Sequence, residues 1–265
     1  MLRLLRRFLP KDIVRPLFEA ASVTDRGLLR PENQDHVLAR RVTLVFCVAD
    51  GVGGGDGGAK ASEIVCNEMS SAADAVADFS RRIRACDDAA RIAHARIADY
   101  AIRAGFKRYM GTTMALLVID PDPPPPGVRW RKAAVAHIGD SRVYRWRKGV
   151  LELLTRDHTV AEQLRGDDPD AEPANRKSRL GHMLTRAIGP GDWVAPDWRK
   201  VDVRGGDVFL VCSDGVHDML PDERISAAIA EGGRAKDMVE RISKWVRAAG
   251  AEDNFTMVVV KARGG

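Results

Sequence analysis

Four aspartates in this chain stand in the same relation to an apolar run. Asp50 ends the run beginning at Leu44, Asp214 follows the run from Val208 to Cys212, Asp140 occupies a turn after a third, and Asp253 stands just before a fourth. A carboxylate at the end of a buried strand is costly unless it meets a hydrogen-bond donor, water or a cation. Strand ends within one sheet system can converge on a common edge, and converging carboxylates repel unless cations lie between them. Hard oxygen donors with room for retained water suit Mg²⁺ or Mn²⁺, and no His/Cys set with zinc spacing competes. A single Asp in a turn is more often a turn former than a ligand. The fourfold recurrence is what points to a cation site.

The surroundings of Asp50 fit a small charged ligand. Leu44, Val45, Phe46, Cys47 and Val48 have the length and composition of a strand buried on both faces. The glycines that follow Asp50, from Gly51 to Gly58, clear side chains away so that backbone carbonyls can approach. Gly53 to Gly58 also satisfies G-x-G-x-x-G, the dinucleotide-binding pattern. The context argues against that reading. Two helical patterns follow in succession and the next strand begins near Thr112, whereas the dinucleotide unit places an acid at the end of a strand about 20 residues on. The acids are too sparse for an EF-hand loop.

The elements that must position these acids follow from periodicity. Strands are expected at Ala21–Thr24, His36–Arg40, Thr43–Ala49, Thr112–Ile119, Val128–Ile138, Ser141–Trp146, Val150–Leu154, Val208–Cys212 and Phe255–Val260. Ala61, Val65, Met69, Ala72, Val76 and Phe79 recur at helical spacing. Ile83, Cys86, Ala90, Ala93, Ile97, Tyr100 and Ala104 do the same, so a long antiparallel helix pair is expected. Asp157 reads as the cap of a short helix ending at Leu164, and two more helices are expected over 221–231 and 235–249. The prolines from Pro123 to Pro126 mark a hairpin tip.

The chain has 265 residues, of which 45% are hydrophobic and 30% charged, so it is expected to be globular. No apolar run approaches the roughly 18 residues needed to span a bilayer. Its 42 Lys and Arg exceed its 37 Asp and Glu, but they are scattered, which disfavours a nucleic-acid groove. Cys47, Cys66, Cys86 and Cys212 form no C-x-x-C pair and lie mostly in apolar segments, which fits a reducing cytoplasm. The basic N-terminus is broken by Pro10 and Pro16, and it reads as an extension packed on the domain rather than a signal peptide or membrane contact.

Several short motifs occur together and in order: Asp25-Arg26-Gly27 with Arg30 and Asn33-Gln34-Asp35; Val48-Ala49-Asp50-Gly51-Val52-Gly53-Gly54; Gly111-Thr112-Thr113; Ile138-Gly139-Asp140-Ser141-Arg142; Leu184-Thr185-Arg186-Ala187-Ile188-Gly189; Ser213-Asp214-Gly215-Val216-His217-Asp218; and Glu252-Asp253-Asn254. In this series the chain, from about Ala21 to Val260, resembles the bacterial branch of the metal-dependent (type 2C) Ser/Thr protein phosphatases.

The resemblance implies an α+β fold, a four-layer αββα sandwich of two antiparallel sheets flanked by helix pairs. It would occupy residues 21–265 as one domain after a basic extension over 1–20, with a flap at about 165–181. It further implies a core site of two Mn²⁺ or Mg²⁺ ions, with Asp50 bridging both, the Gly51 carbonyl on one, and Asp214 and Asp253 completing the other. Asp140 matches an acid that binds a third ion in bacterial relatives, with Asp218 in support. Gln34 matches a water-mediated metal contact, although many relatives carry Glu there. Arg30 matches the arginine that grips substrate phosphate, and Asp35 the acid that orients a metal-bridging water.

The implied reaction is hydrolysis of phosphoserine and phosphothreonine in proteins, opposing a bacterial Ser/Thr kinase and needing no protein nucleophile. The expected protein is a cytoplasmic monomer whose partners are phosphoproteins. Val52 stands where animal relatives have a histidine proposed as general acid. His137, His158, His182 and His217 read as structural or surface residues, and Ser141 and Ser213 lack the nucleophile-elbow pattern. The competing reading is a catalytically inactive binding module of the same fold, which would not need Arg30 together with the three core acids.

Overall fold

The structure is a computed structural model and describes residues 17–53, 56–106, 110–166 and 180–263. Most of the N-terminal extension and most of the 165–181 segment therefore lie outside the described residues.

Two antiparallel sheets make the centre. One has the order β1 (Phe18–Asp25), β11 (Phe255–Ala262), β10 (Val208–Cys212), β7 (Arg142–Arg147) and β8 (Val150–Leu153). The other runs β2 (Asp35–Arg40), β3 (Val45–Val52), β5 (Met114–Ile119), β6 (Trp130–Ile138) and β9 (Asp197–Arg204), with β4 (Gly111–Thr112) paired to the end of β3. The continuous apolar runs are explained by burial on both faces, since successive strand residues point to opposite sides. In β3, Phe46 and Val48 face the other sheet, while Val45, Cys47 and Ala49 face helices. In β10, Phe209 and Val211 enter the space between the sheets, and Leu210 and Cys212 face outward to a second helical layer.

Helices α1 (Asp56–Ala75) and α2 (Phe79–Arg103) cover the β3 sheet. Their apolar stripes include Val65 and Met69 on α1 and Cys86, Ala90, Ala93 and Ile97 on α2. Phe79, read with the first helix, opens the second, because the Asp78 carboxylate caps it by accepting from the Arg81 backbone N–H at 2.8 Å. A short helix α3 (Val160–Arg165) is followed later by α4 (Asp214–His217), α5 (Asp222–Ala230) and α6 (Ala235–Ala248), the last two over the β10 sheet. The fold is the αββα sandwich that the family resemblance implied.

Four departures are informative. Asp157 does not cap α3; Thr159 does, accepting from the Glu162 N–H at 3.2 Å, and Asp157 is turned inward to Arg142. The sequence reading had no strand at β9, whose residues are mostly charged and solvent-facing. Nor did it contain the single turn of helix at Asp214. Strand β1 begins at Phe18, inside the stretch read as extension, where Phe18 pairs with Ala262.

Candidate metal centre

The acids converge by pairing and close packing. Asp50 lies near the end of β3, opposite Asp35 at the start of β2 in the strand register. Asp214 opens α4 directly after β10, and Asp253 directly precedes β11, the neighbour of β10. Gly215 makes that approach possible, because a Cβ there would sit 2.0 Å from the Asn254 carbonyl oxygen. Asn254 in turn ties the N-terminal loop to the site, donating to the Arg26 and Glu32 carbonyls and accepting from the Gln34 N–H at 2.9 Å. Asp140 enters from the turn between β6 and β7.

A cleft of about 1370 Å³ results, lined by Arg30, Asp50, Val52, Asp140, Asp214, Asp218 and Asp253, with His182 and His217. Gln34, Asp35 and Gly51 do not line it. Gln34 turns its amide to Glu32 at 2.5 Å, and its carbonyl accepts from the Gly51 N–H at 3.2 Å. Asp35 is buried behind Asp50, with one oxygen accepting from the Ser213 hydroxyl at 2.7 Å. Arg30 stands at the rim, half exposed, with a terminal nitrogen 2.5 Å from Asp253. Its guanidinium shares the site with the acids instead of standing apart as a pure substrate contact.

Among the described residues, the carboxylates of the cleft outnumber the positive charges beside them. Burial, and then the charges of Asp35, Asp214 and Asp140, push the Asp50 carboxyl well above its ordinary range. Burial also raises Asp214, with Asp140, Asp218, Asp253 and Asp35 adding to it. Asp140 is pushed up to about 7 by burial and by Asp157 and Asp218. Asp35 is pushed up to about 6 by burial, against the hydrogen bonds from Ser213 and Thr256. One Asp35 oxygen and one Asp214 oxygen are buried with no hydrogen-bond partner among the described residues. Buried polar atoms are normally satisfied, so orphaned acceptors facing like charges fit divalent cations with oxygen ligands.

Several residues named from the sequence support the site in ways it did not predict. Thr113 accepts from the Asp50 N–H at 3.0 Å, and its hydroxyl pairs with Ser141 at 2.6 Å, so the β3 and β6–β7 acids share a brace. His217, read as structural, donates to the Asp140 carbonyl at 3.1 Å and sets its other ring nitrogen 3.3 Å from Asp218. His182 approaches Asp218 at 3.4 Å, and candidate ligand atoms of His182, Asp214 and Asp218 lie within 4.8 Å of one another. Only the Ser213-Asp214-Gly215-Val216-His217-Asp218 run carried a signal for His217. A second His/Asp group, His137, His158 and Asp197, does not fit a cation, because the Arg186 guanidinium occupies it, 2.9 Å from Asp197.

Comparisons with known proteins bear on the family and the fold. A sequence profile described as Protein phosphatase 2C matches residues 30–258. The chain is 30% identical over 241 residues to the serine/threonine protein phosphatase PstP of Mycobacterium tuberculosis, covering 90% of this chain but 44% of PstP. It is 29% identical over 253 residues to the protein phosphatase PhpP of Streptococcus pneumoniae, covering 91% of this chain and 96% of PhpP. The crystal structure of the PstP catalytic domain in complex with two manganese ions superposes with a TM-score of 0.77 at 28% identity, covering 93% of this chain and 98% of that one. The profile match and the shared fold agree, and the chain belongs to the protein phosphatase 2C family.

Proposed function

We propose that this chain hydrolyses phosphoserine and phosphothreonine in proteins in a reaction that depends on Mn²⁺ or Mg²⁺. The observation that carries the proposal is the convergence of Asp50, Asp140, Asp214, Asp218 and Asp253 in one cleft, with Arg30 at its rim. Asp50, Asp214 and Asp253 would hold two ions and Asp140 with Asp218 a third, with the carbonyl of Gly51, next to Asp50 but outside the cleft lining, as a further ligand. Gln34 would act only through water, since its amide is directed to Glu32. Bound cations of this kind acidify water and neutralise phosphoryl oxygens.

The chain's own groups supply binding and orientation. The Arg30 guanidinium is planar and half exposed, so it can offer paired N–H groups to two phosphoryl oxygens. Asp35, fixed by Ser213, keeps one oxygen free of hydrogen bonds and sits beside Asp50, where it can orient water or hold a proton. Val52 presents an alkyl wall and no proton donor.

The partners would be phosphoproteins of a Ser/Thr kinase pathway, with the chain acting as a monomer in the cytoplasm. The related PstP and PhpP are named protein phosphatases, and all four cysteines here are buried, as small apolar residues are. No helix among the described residues is long and apolar enough to cross a membrane. The test is release of phosphate from a phosphothreonine peptide by purified protein. Activity with Mn²⁺ that disappears in excess EDTA and returns on adding Mn²⁺ supports the proposal; turnover undiminished in EDTA rejects it.

A further inference from the structure

The turn that carries Asp140 is gripped at both ends by one dipeptide, Asp157-His158. At one end, Gly139 and His158 exchange two hydrogen bonds: the His158 N–H donates to the Gly139 carbonyl at 3.0 Å, and the Gly139 N–H donates to His158 Nδ1 at 3.1 Å. At the other, Arg142 places Nε 2.8 Å from one Asp157 oxygen and bonds the second through a terminal nitrogen, both side chains being buried. Gly139 has φ +95°, and a Cβ there would meet Thr113 at 2.6 Å, so the turn has little room to relax.

The His158 ring is itself held on every side. Because Nδ1 accepts from Gly139, the proton of the neutral ring is on Nε2, which faces Asp197 at 3.0 Å. Asp197 also accepts from Arg186 at 2.9 Å, which fixes the acceptor of that Nε2–H. His137 stacks on the ring with centroids 4.4 Å apart. The same residue anchors the chain that returns toward the cleft: Thr185 donates to the His158 carbonyl at 2.9 Å, and Val160 to the Met183 carbonyl at 2.9 Å. His158 therefore meets the Asp140 turn with its ring and its backbone N–H, and the His182 segment with its carbonyl.

We propose that His158 is a positioning residue for Asp140, its Nδ1 acceptor fixing the direction in which the Asp140 carboxylate enters the cleft and thereby the affinity of the cation that Asp140 helps to hold. The inference rests on the reading of Asp140 as a cation ligand. Residues that orient ligands in this way typically change metal affinity about 10–100-fold when replaced. The replacement must remove the acceptor and keep the volume. His158→Leu and His158→Gln both leave Gly139 N–H without its partner, whereas His158→Asn can set an amide oxygen where Nδ1 stood.

The experiment is calorimetric Mn²⁺ titration of the full chain at pH 7.5, together with the melting temperature of each metal-free protein. Wild type, Asp140→Asn and the three His158 variants are compared. Asp140→Asn is expected to lose the weakest Mn²⁺ site. His158→Leu and His158→Gln are expected to weaken that same site about 10-fold or more, leaving the tighter sites within about threefold, and His158→Asn is expected to restore it to within about threefold of wild type. Should His158→Leu fail to fold, the Gln/Asn pair decides. If Asp140→Asn binds Mn²⁺ as wild type does, the assignment of Asp140 fails and this inference with it. If Asp140→Asn loses the weak site while His158→Gln keeps it, or if Asn and Gln weaken it equally, His158 serves packing alone and the inference is overturned.

Discussion

Asp202 and Asp207, near the far end of β9 and the start of β10, are acids in a crowded part of the fold, as are those of the cleft. Each has a guanidinium. Asp207 is almost wholly buried, and Arg147 grips it through Nε at 2.8 Å and a terminal nitrogen at 2.7 Å. Asp202 accepts from Arg145 at 3.1 Å and Arg204 at 2.7 Å; burial alone would raise its carboxyl, but Arg147 and Arg204 hold it down to about 2. In the cleft, Arg30 is the one Lys or Arg among the described lining residues beside five aspartates, and the carboxyls of Asp50, Asp140 and Asp214 are raised. Burial of acids therefore does not mark a cation site. Burial that leaves an acid without a matching basic side chain among the described residues does, because a cation can then supply the missing positive charge.

The largest effect that contrast predicts is loss of catalysis. Asp214→Asn should lower phosphopeptide turnover by about 10³-fold, the several kcal/mol that cation neutralisation of phosphoryl oxygens supplies, while the metal-free protein melts no lower than wild type. Steady-state assays alongside thermal melts measure both. Asp207→Asn should do the reverse. Breaking a buried ion pair costs about 3 kcal/mol, so the melting temperature should fall by roughly 5–10 °C with turnover per folded molecule unchanged. If the two substitutions gave the same pattern, the distinction between paired and unpaired acids would collapse.

The pH dependence of the metal-free protein sharpens the comparison. Asp50, Asp140 and Asp214 keep protons in the folded state that the unfolded chain releases near pH 4, so the folded state binds more protons and stability falls as pH rises. His36, His137, His158 and His217, held below their ordinary value chiefly by burial, oppose this below about pH 6.5. The clear window is above it. Between pH 6.5 and 8 the melting temperature without metal should decline, and saturating Mn²⁺ should remove the decline, because cations favour the ionised acids. A flat metal-free profile would contradict the shared deficit of positive charge.

The smallest effect concerns Arg30. Arg30→Ala should lower kcat/KM for a small phosphate ester about 10–100-fold, the value of charged hydrogen bonds to phosphate, mainly through KM. Since Arg30 bonds Asp253, removing it takes positive charge from the cation pocket, and Mn²⁺ affinity should hold or rise. A large drop in Mn²⁺ affinity would show that Arg30 shapes the metal pocket instead of reading substrate.

What could be read from the sequence follows the same division. Strands β3 and β10 were legible because burial on both faces leaves an unbroken apolar run that ends at an acid. Strand β9 was not, since of its eight residues only Val203 is fully buried and the charged ones alternate without an apolar face. The aspartates of the cleft were visible as a recurring strand-end pattern and, through family likeness, as a set. The partners that tell a paired acid from an unpaired one were hidden. Arg142 and Asp157, 15 residues apart, meet only once β7 and β8 pair, and Ser213 and Asp35, 178 apart, only once the two sheets are stacked. Asp157 illustrates the cost: alone before His158 and Thr159 it reads as a helix cap, and only the buried Arg142 beside it reassigns it.

The most direct test of the central claim is anomalous diffraction at the manganese edge from crystals of the full chain grown with Mn²⁺. The account predicts at least two anomalous peaks inside the cleft, bounded by Asp50, Asp214 and Asp253, and none beside Asp202, Asp207 or the Arg186-filled group at His137 and His158. Peaks absent from the cleft, or found at the guanidinium-paired acids instead, would contradict it.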